Sequence, residues 1–264
     1  MLNKNFVLLL TSLIFVALLV FVPMVNAAPS GAAVTKGASS TAAAESAGSD
    51  NANAGNVTEL TITGHTTTQS WQGYFGNVTG VVQLADGSNK VLYNWSVASP
   101  RGEVYASTNQ TIYWVNVQCF NFTAAGTHSN EAGNGGQTSL YGTNMTQLQS
   151  TFNIDANDAD AVNATFNLIG AGTHNQFYTG SAQFNEGQCQ NTRVYDSTGK
   201  GVSGKFEEAL LYEPVSSSVV FTSLLNQDAS GFDNKTHDFE MLVLEDGHNA
   251  DVSTTPYYFF VELQ

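Results

Sequence analysis

Hydrophobic and polar residues alternate along much of the chain. In the run 91–97 the odd-numbered positions are Val, Tyr, Trp and Val, whereas Asn94 and Ser96 lie between them. Because successive side chains of a β-strand point to opposite faces, this period of two is typical of a strand with one buried face. The run therefore predicts a strand with Tyr93 and Trp95 directed inward and Asn94 directed outward.

Further apolar runs with similar patterning follow in the rest of the chain, at 112–119, 206–212, 219–225, 239–244 and 257–263. Turn-forming segments predict three hairpins, with turns at 86–89, 213–218 and around 246–247. Several hairpins in succession predict an all-β fold, either an antiparallel β-sandwich or a barrel-like domain. One or two short helices are expected at 143–152 and 155–166.

The last of these strands has aromatic residues on both faces. Tyr257 and Phe259 are predicted to point inward, together with Val261 and Leu263, whereas Tyr258 and Phe260 point outward. Glu262 is the one charge that would discourage pairing at a sheet edge. We therefore expect Tyr258 and Phe260 to be covered either by a second layer of the same chain or by a neighbouring subunit.

A second group of aromatic residues, Trp71, Tyr74 and Phe75, lies among glycines. Aromatic side chains on a β scaffold stack on sugars in some proteins and fill the core in others. Both interpretations stay open from the sequence. The five candidate interaction aromatics are Trp71, Tyr74, Phe75, Tyr258 and Phe260.

The N-terminal region has a different composition from the rest. An apolar run at 6–22 is followed by Pro23 and the small-residue site Val25–Ala27, which predicts a signal peptide at 1–27 with cleavage after Ala27. The alternative is an uncleaved membrane anchor formed by residues 6–22. Residues 28–55 contain 19 Ala, Gly or Ser and predict a flexible, disordered linker. Residues 56–264 are expected to form a single extracellular domain.

Charge excludes several classes of partner. The chain has 22 Asp and Glu against 8 Lys and Arg, for a net charge of −14. Binding to nucleic acid requires Lys and Arg at the phosphates, so nucleic acid is not an expected partner. Attachment to an anionic membrane by charge is excluded for the same reason, which leaves residues 6–22 as the one expected membrane contact.

Two features are typical of exported proteins. The two cysteines, Cys119 and Cys189, predict a disulfide in an oxidising compartment, with two buried free thiols as the alternative. Eight Asn-x-Ser/Thr sequons predict N-glycosylation. Their asparagines are Asn56, Asn77, Asn94, Asn109, Asn121, Asn144, Asn163 and Asn234.

Catalytic and metal-binding motifs are weak. The sequence has no Gly-x-Ser-x-Gly, His-Glu-x-x-His, phosphate-binding loop or Cys-x-x-Cys motif. The segment 155–160 resembles a calcium loop but lacks the required Gly and the closing Glu, so a solvated helix start is the preferred interpretation. His128 and His174 occupy matching positions of two similar stretches, and their proximity in space stays open. We predict no catalytic residues, no metal and no cofactor.

Glu207 and Glu208 are adjacent and offer one carboxylate of a glycosidase pair, but solvation at a sheet edge or rim is the preferred interpretation. The two cannot act together, because neighbouring strand residues face opposite ways.

Two stretches resemble a family of secreted archaeal β-rich surface proteins. One is WQGYFGNVTG at 71–80 followed by LYNWS at 92–96, and the other is the ending from Gly231 through Val243 to Leu263. The resemblance covers nearly the whole body behind a signal peptide and excludes the linker. The family has no established activity, so the resemblance implies a place outside the cell and no particular chemistry.

Together these features predict a secreted, N-glycosylated cell-surface or extracellular structural protein without catalytic activity, such as an envelope, filament or adhesion component. Its expected partners are other surface proteins or further copies of itself, and glycans. The alternatives are a carbohydrate-binding module and a secreted carbohydrate-active enzyme.

Overall fold

The computed structural model describes residues 28–97, 99–120, 122, 145–248 and 251–264. The predicted signal peptide, His128 and the sequons at Asn121 and Asn144 lie outside these ranges. Within the described ranges the chain folds into antiparallel β-sheets with two short helices, which confirms the predicted all-β class.

The elements follow one another along the chain, with one 3-10 turn at Trp114–Asn116. The strands are β1 (Ser30–Gly31), β2 (Trp71–Gly76), β3 (Val81–Ala85), β4 (Val91–Ser96), β5 (Gly102–Ser107), β6 (Gln118–Cys119), β7 (Phe177–Thr179), β8 (Ala182–Phe184), β9 (Asn191–Tyr195), β10 (Gly201–Glu213), β11 (Ser218–Leu224), β12 (Ala229–Ser230), β13 (Thr236–His237), β14 (Phe239–Leu244) and β15 (Tyr258–Leu263). The helices are α1 (Met145–Thr151) and α2 (Val162–Thr165).

A seven-stranded sheet forms the centre of the fold. Its order is β1-β15-β5-β11-β10-β6, and β9 also pairs with the long strand β10. The predicted hairpin at 206–225 is confirmed as β10–β11, in which Leu210 lies opposite Phe221. The Glu213 carboxylate closes its turn by accepting hydrogen bonds from the N–H groups of Val215 at 2.7 Å and Ser216 at 2.9 Å.

Both faces of this sheet are covered. One face packs against the two-stranded sheet β14–β2 and the helices, with Leu210, Phe221 and Val243 among the buried residues of this helix-side core. The other face packs against the β7–β8 hairpin and the 3-10 turn, and its disulfide-side core contains Tyr105, Leu211 and Cys189. The arrangement is a sandwich whose central sheet lies between two covering layers.

Two strand predictions are wrong. The runs 239–244 and 257–263 do not pair with each other: β14 pairs with β2, whereas β15 pairs with β5 and β1. The connection between them crosses from one layer to the next, which the turn residues alone do not indicate. The run 112–119 is a 3-10 turn followed by two strand residues, because the N–H of Asn116 bonds to the carbonyl of Tyr113 at 2.8 Å and bends the chain.

The predicted linker contains the first strand of the central sheet. Ser30 lies opposite Val261, and Gly31 lies opposite Phe260, on the outer edge of β15. Residues 33–69 follow as an exposed segment without helix or strand, and the next strand begins at Trp71.

Candidate functional site

The β3–β4 hairpin stands apart from the sandwich. Its two strands form a sheet of their own, in which Val82 lies opposite Trp95 and Leu84 lies opposite Tyr93. We call residues 81–96 the apolar hairpin. An isolated two-stranded sheet is at best marginally stable in water, so this element needs support beyond its own hydrogen bonds.

The turn of the apolar hairpin is formed by local polar contacts. Asp86 accepts hydrogen bonds through Oδ1 from the N–H groups of Ser88 at 2.9 Å and Lys90 at 2.8 Å. Asn89 adopts a positive φ of 60°, which Asn tolerates better than most residues. The predicted turn at 86–89 is therefore present, and the reason is the turn chemistry read from the sequence.

The period of two is present as well, but the predicted inward face is exposed. Tyr93 is 60% exposed and Trp95 is 51% exposed, and their ring centroids lie 4.9 Å apart on one face. The prediction of a half-buried strand is wrong for this element, because in the described part of the chain no third strand pairs with the hairpin and no layer buries this face.

Large apolar side chains dominate the surface of the apolar hairpin. The exposed ones are Val81, Val82, Leu84, Val91, Leu92, Tyr93 and Trp95. Charges are confined to its tip: across residues 71–97 the sequence has one acid, Asp86, and one base, Lys90. The polar residues Gln83 and Asn94 lie opposite each other on the second face. The hairpin thus presents one uncharged apolar face and one face with a sequon.

At its base the apolar hairpin is anchored to the sandwich. Gly80 directly precedes β3, and a Cβ atom at this position would lie 2.3 Å from Cδ1 of Leu263 in β15. The glycine therefore allows the chain to leave the sandwich in close contact with β15.

The predicted interaction aromatics are distributed among different environments. Trp71 and Tyr74 pack against the helix-side core, and the Trp71 Nε1–H donates to the carbonyl of Asp160 at 2.6 Å. Phe75 is exposed and forms an edge contact with exposed Phe232, with ring centroids 5.0 Å apart at 77°. Rings at this angle do not form a flat platform for a sugar.

On β15 the two outward aromatics differ. Phe260 is 8% exposed and packs in the disulfide-side core against Trp114, with centroids 5.1 Å apart. Tyr258 is 38% exposed. The sequence left open whether the same chain or a neighbouring subunit covers these residues. For Phe260 the cover is a layer of the same chain.

Of the described sequons, Asn94 lies in β4 and Asn163 in α2, and the others lie in loops. Asn56, Asn77, Asn94, Asn163 and Asn234 are exposed. Asn109 is half-buried, because its Nδ2 group donates to Ser218 Oγ at 3.0 Å and its Oδ1 accepts from the Thr111 N–H at 2.9 Å. A glycan at Asn109 would replace one of the two Nδ2 hydrogens and would have to fit beside Ser218.

The predicted disulfide is present between Cys119 and Cys189, which confirms the pairing. It links β6 to the segment before β9. His174 supports this segment, since its Nε2 accepts a hydrogen bond from the Cys189 N–H at 3.0 Å and its Nδ1 contacts the Asn175 carbonyl at 2.7 Å. Burial lowers the pKa of His174, in keeping with a neutral ring in this role.

The candidate glycosidase carboxylates point to opposite faces. Glu207 lines a cleft of about 570 Å³, but its two oxygens accept hydrogen bonds from the N–H groups of Gly204 and Asn175, each at 2.7 Å. Glu208 is buried on the other face, where it accepts from the Leu242 N–H at 2.8 Å. Both carboxylates therefore hold neighbouring backbone segments in place through hydrogen bonds from their N–H groups.

A carboxyl pair that the sequence analysis missed lies on the disulfide-side face. Glu103 and Glu262 are opposite each other on β5 and β15. Glu262 accepts from the Gly180 N–H at 2.8 Å and from the Tyr105 hydroxyl at 3.2 Å. Burial, and next the charge of Glu262, raise the pKa of Glu103 to about 8. Only the register of β5 with β15 could have revealed this pair.

The described residues contain no group of three or more His, Cys, Asp or Glu arranged to hold a metal ion. In the segment 155–160, Asp155 instead accepts through Oδ1 from the Asn157 N–H at 2.8 Å. Neither helix of the described ranges has the length and hydrophobicity to cross a membrane.

Comparisons with protein-family models, curated proteins and solved structures found no match to this chain.

Proposed function

We propose that this protein is a non-enzymatic structural component of the cell surface that assembles with copies of itself through the apolar hairpin. The observation that carries the proposal is the exposed face formed by Val82, Leu84, Tyr93 and Trp95. The export signal, the sequons and the disulfide support the extracellular location.

The exposed area supports a contact with a partner. At on the order of 100 Å² for each partly exposed side chain, the seven apolar residues present roughly 700 Å². Monomeric proteins rarely expose contiguous apolar patches above a few hundred Å², whereas a stable interface buries roughly 800 Å² on each partner. The apolar hairpin therefore exposes more apolar surface than a monomeric protein usually presents.

Charge favours a second copy as the partner. Two chains of net charge −14 repel each other wherever their acidic surfaces approach. The apolar hairpin carries one negative and one positive charge, both at its tip, so two hairpins can approach face to face without this repulsion. Burying Tyr93 and Trp95 against their counterparts supplies the hydrophobic driving force.

A second candidate is the carbohydrate-binding module. The exposed rings of Tyr93 and Trp95 favour it, because aromatic side chains bind sugars by stacking. The rings are tilted by 57° to each other, so they offer a sugar less flat surface than a pair of coplanar rings.

Sedimentation velocity across a range of protein concentrations tests the proposal with Tyr93→Ser/Trp95→Ser. The double variant should remain monomeric where the wild-type chain associates. Its melting temperature in dilute solution should change little, because both side chains are solvated in the single chain. Gln83→Ser/Asn94→Ser on the second face is the matched control and should associate like the wild type.

Three results would overturn the proposal. A wild-type chain that stays monomeric with Trp95 inaccessible to a fluorescence quencher would show that residues of the same chain cover the face. A monomer that binds oligosaccharides through Trp95 would favour the carbohydrate-binding module. Association that survives the double variant would place the contact elsewhere.

A further inference from the structure

The edge of β15 is occupied by the short segment 28–32, which lies outside the predicted domain 56–264. Ser30 and Gly31 pair with Val261 and Phe260, and the N–H of Ala32 donates to the carbonyl of Phe259 at 3.0 Å. Pro29 is buried beside this edge, and the Cα of Ala28 lies 3.7 Å from the position of a Cβ on Gly180. These few contacts dock the segment 28–32 onto the sandwich.

The connection from this segment to the body is long and makes few contacts. Residues 33–69 are exposed throughout and form neither helix nor strand. A stretch of this length can extend to roughly 120 Å, which is several times the width of a domain of this size. Residues 33–69, which we call the tether, are therefore long enough for the segment 28–32 to reach the β15 edge of another chain.

We propose that the segment 28–32 exchanges between copies of this chain, pairing with β15 of a neighbour in the register observed here. A neighbour's segment would make the same backbone hydrogen bonds and would bury the same proline, so the exchange creates and destroys no contact. It would link each copy to the next, since each chain both donates a segment and offers an edge.

Local concentration decides between the two arrangements. A flexible tether holds the segment near its own edge at an effective concentration in the millimolar range. A dilute neighbour cannot compete with that value, whereas copies packed side by side can. At low protein concentration, the exchange therefore rests on the assembly proposed above. At millimolar protein concentration, it does not depend on that assembly.

Single cysteines at the paired positions test the exchange. Ser30→Cys and Val261→Cys lie directly opposite each other, at a spacing that a disulfide can bridge. The two full-length variants are mixed in a glutathione redox buffer, and disulfide-linked heterodimer is measured on non-reducing gels. The described residues contain no free cysteine, since Cys119 and Cys189 are bonded.

The matched control is Ser39→Cys mixed with Val261→Cys, which places the thiol on the same tether but out of register. The Ser30→Cys mixture should give about tenfold more heterodimer than this control, because pairing raises the effective concentration of the two thiols. The double variant Ser30→Cys/Val261→Cys should close within one chain and stop the exchange.

The proposal is overturned if the mixture gives no more heterodimer than the control at millimolar protein while the double variant closes its own disulfide. Repeating the mixture in the Tyr93→Ser/Trp95→Ser background separates the two proposals. Heterodimer at millimolar concentration in this background would retain the exchange without help from the apolar hairpin. The assembly proposal alone is rejected if chains with the wild-type hairpin form heterodimer but do not otherwise associate. Assembly of the wild-type chain without heterodimer would retain the assembly proposal and reject the exchange.

Discussion

Strands β4 and β15 share a pattern of aromatic and aliphatic residues but have opposite surroundings. Each has six residues and places aromatic side chains next to aliphatic ones. In β15, Phe260 is buried between strands of the central sheet and the 3-10 turn, whereas in β4 Trp95 is half exposed. The sequence pattern is thus compatible with a strand covered on both faces and with one exposed on both.

The difference follows from the neighbours of each strand. β15 lies within the seven-stranded sheet, where layers of the same chain cover both faces. β4 has one paired neighbour, β3, among the described residues. An alternating pattern therefore shows which residues share a face, but the cover over that face depends on distant parts of the chain or on another molecule.

The largest effect that we predict from this comparison is that of Phe260→Ala. Removing a buried phenylalanine side chain costs about 3–5 kcal/mol, because transfer energy is lost and a cavity remains. The melting temperature should fall by roughly 10 °C for a domain of this size. Leu92→Ala in the apolar hairpin is the comparison variant and should leave the melting temperature of the monomer nearly unchanged. Differential scanning calorimetry measures both, and equal effects would contradict the distinction.

Removal of the disulfide should have a similar or slightly smaller effect. Cys119 and Cys189 are 70 residues apart, and closing a loop of this length stabilises a fold by about 4 kcal/mol in the chain-entropy model. The bond also ties β6 to the layer that covers Phe260. We expect Cys119→Ser/Cys189→Ser to lower the midpoint of chemical denaturation clearly. A midpoint equal to that of the oxidised wild type would contradict this expectation.

Local chemistry made part of the fold predictable. The turn at 86–89 depends on Asp86 and its nearest neighbours, and the disulfide follows from a count of two cysteines in a chain that the sequence predicts to be exported. The β10–β11 hairpin was predictable for the same reason, because a short turn joins strands that pair directly.

Non-local pairing made the rest unpredictable. β1 lies in a segment of Ala, Ser and Gly with no strand signal, and it pairs because β15, more than two hundred residues away, leaves an edge open. The exposure of Tyr93 and Trp95 likewise depends on pairing, because no third strand of the described ranges joins the apolar hairpin. Glu103 and Glu262 meet because β15 joins β5, a pairing that no sequence spacing indicates.

The carboxyl pair Glu103 and Glu262, on β5 and β15, predicts that the stability of the sandwich depends on pH. The pKa of Glu103 is about 8 in the folded chain, above its ordinary value of 4.5, so folding favours the protonated form. The stabilising contribution is complete below pH 4.5 and is lost as the pH rises through about 8. Burial raises the pKa of Glu240 to about 7, which adds a loss of the same sign.

Glu103→Gln tests this dependence, because the amide keeps the shape of the carboxylic acid without its charge. The variant should melt a few degrees above the wild type at pH 8 and should show a flatter profile from pH 5 to 8. Glu59→Gln, on the exposed segment, is the matched control and should follow the wild-type curve. A wild-type melting temperature that rises over this range would contradict the sign.

The smallest expected effect, that of Tyr258→Ser, also decides which of the two strands carries the assembly contact. Tyr258 is partly exposed at the start of β15, opposite Ser107, and a substitution at such a position changes stability by about 0.5 kcal/mol. Self-association should be unchanged, because the apolar contact lies on the hairpin. Tyr258→Phe controls for the loss of the ring. If Tyr258→Ser abolished association in sedimentation velocity and Tyr93→Ser/Trp95→Ser did not, the contact between copies would lie on the C-terminal strand, and the exposed face of the apolar hairpin would need another partner.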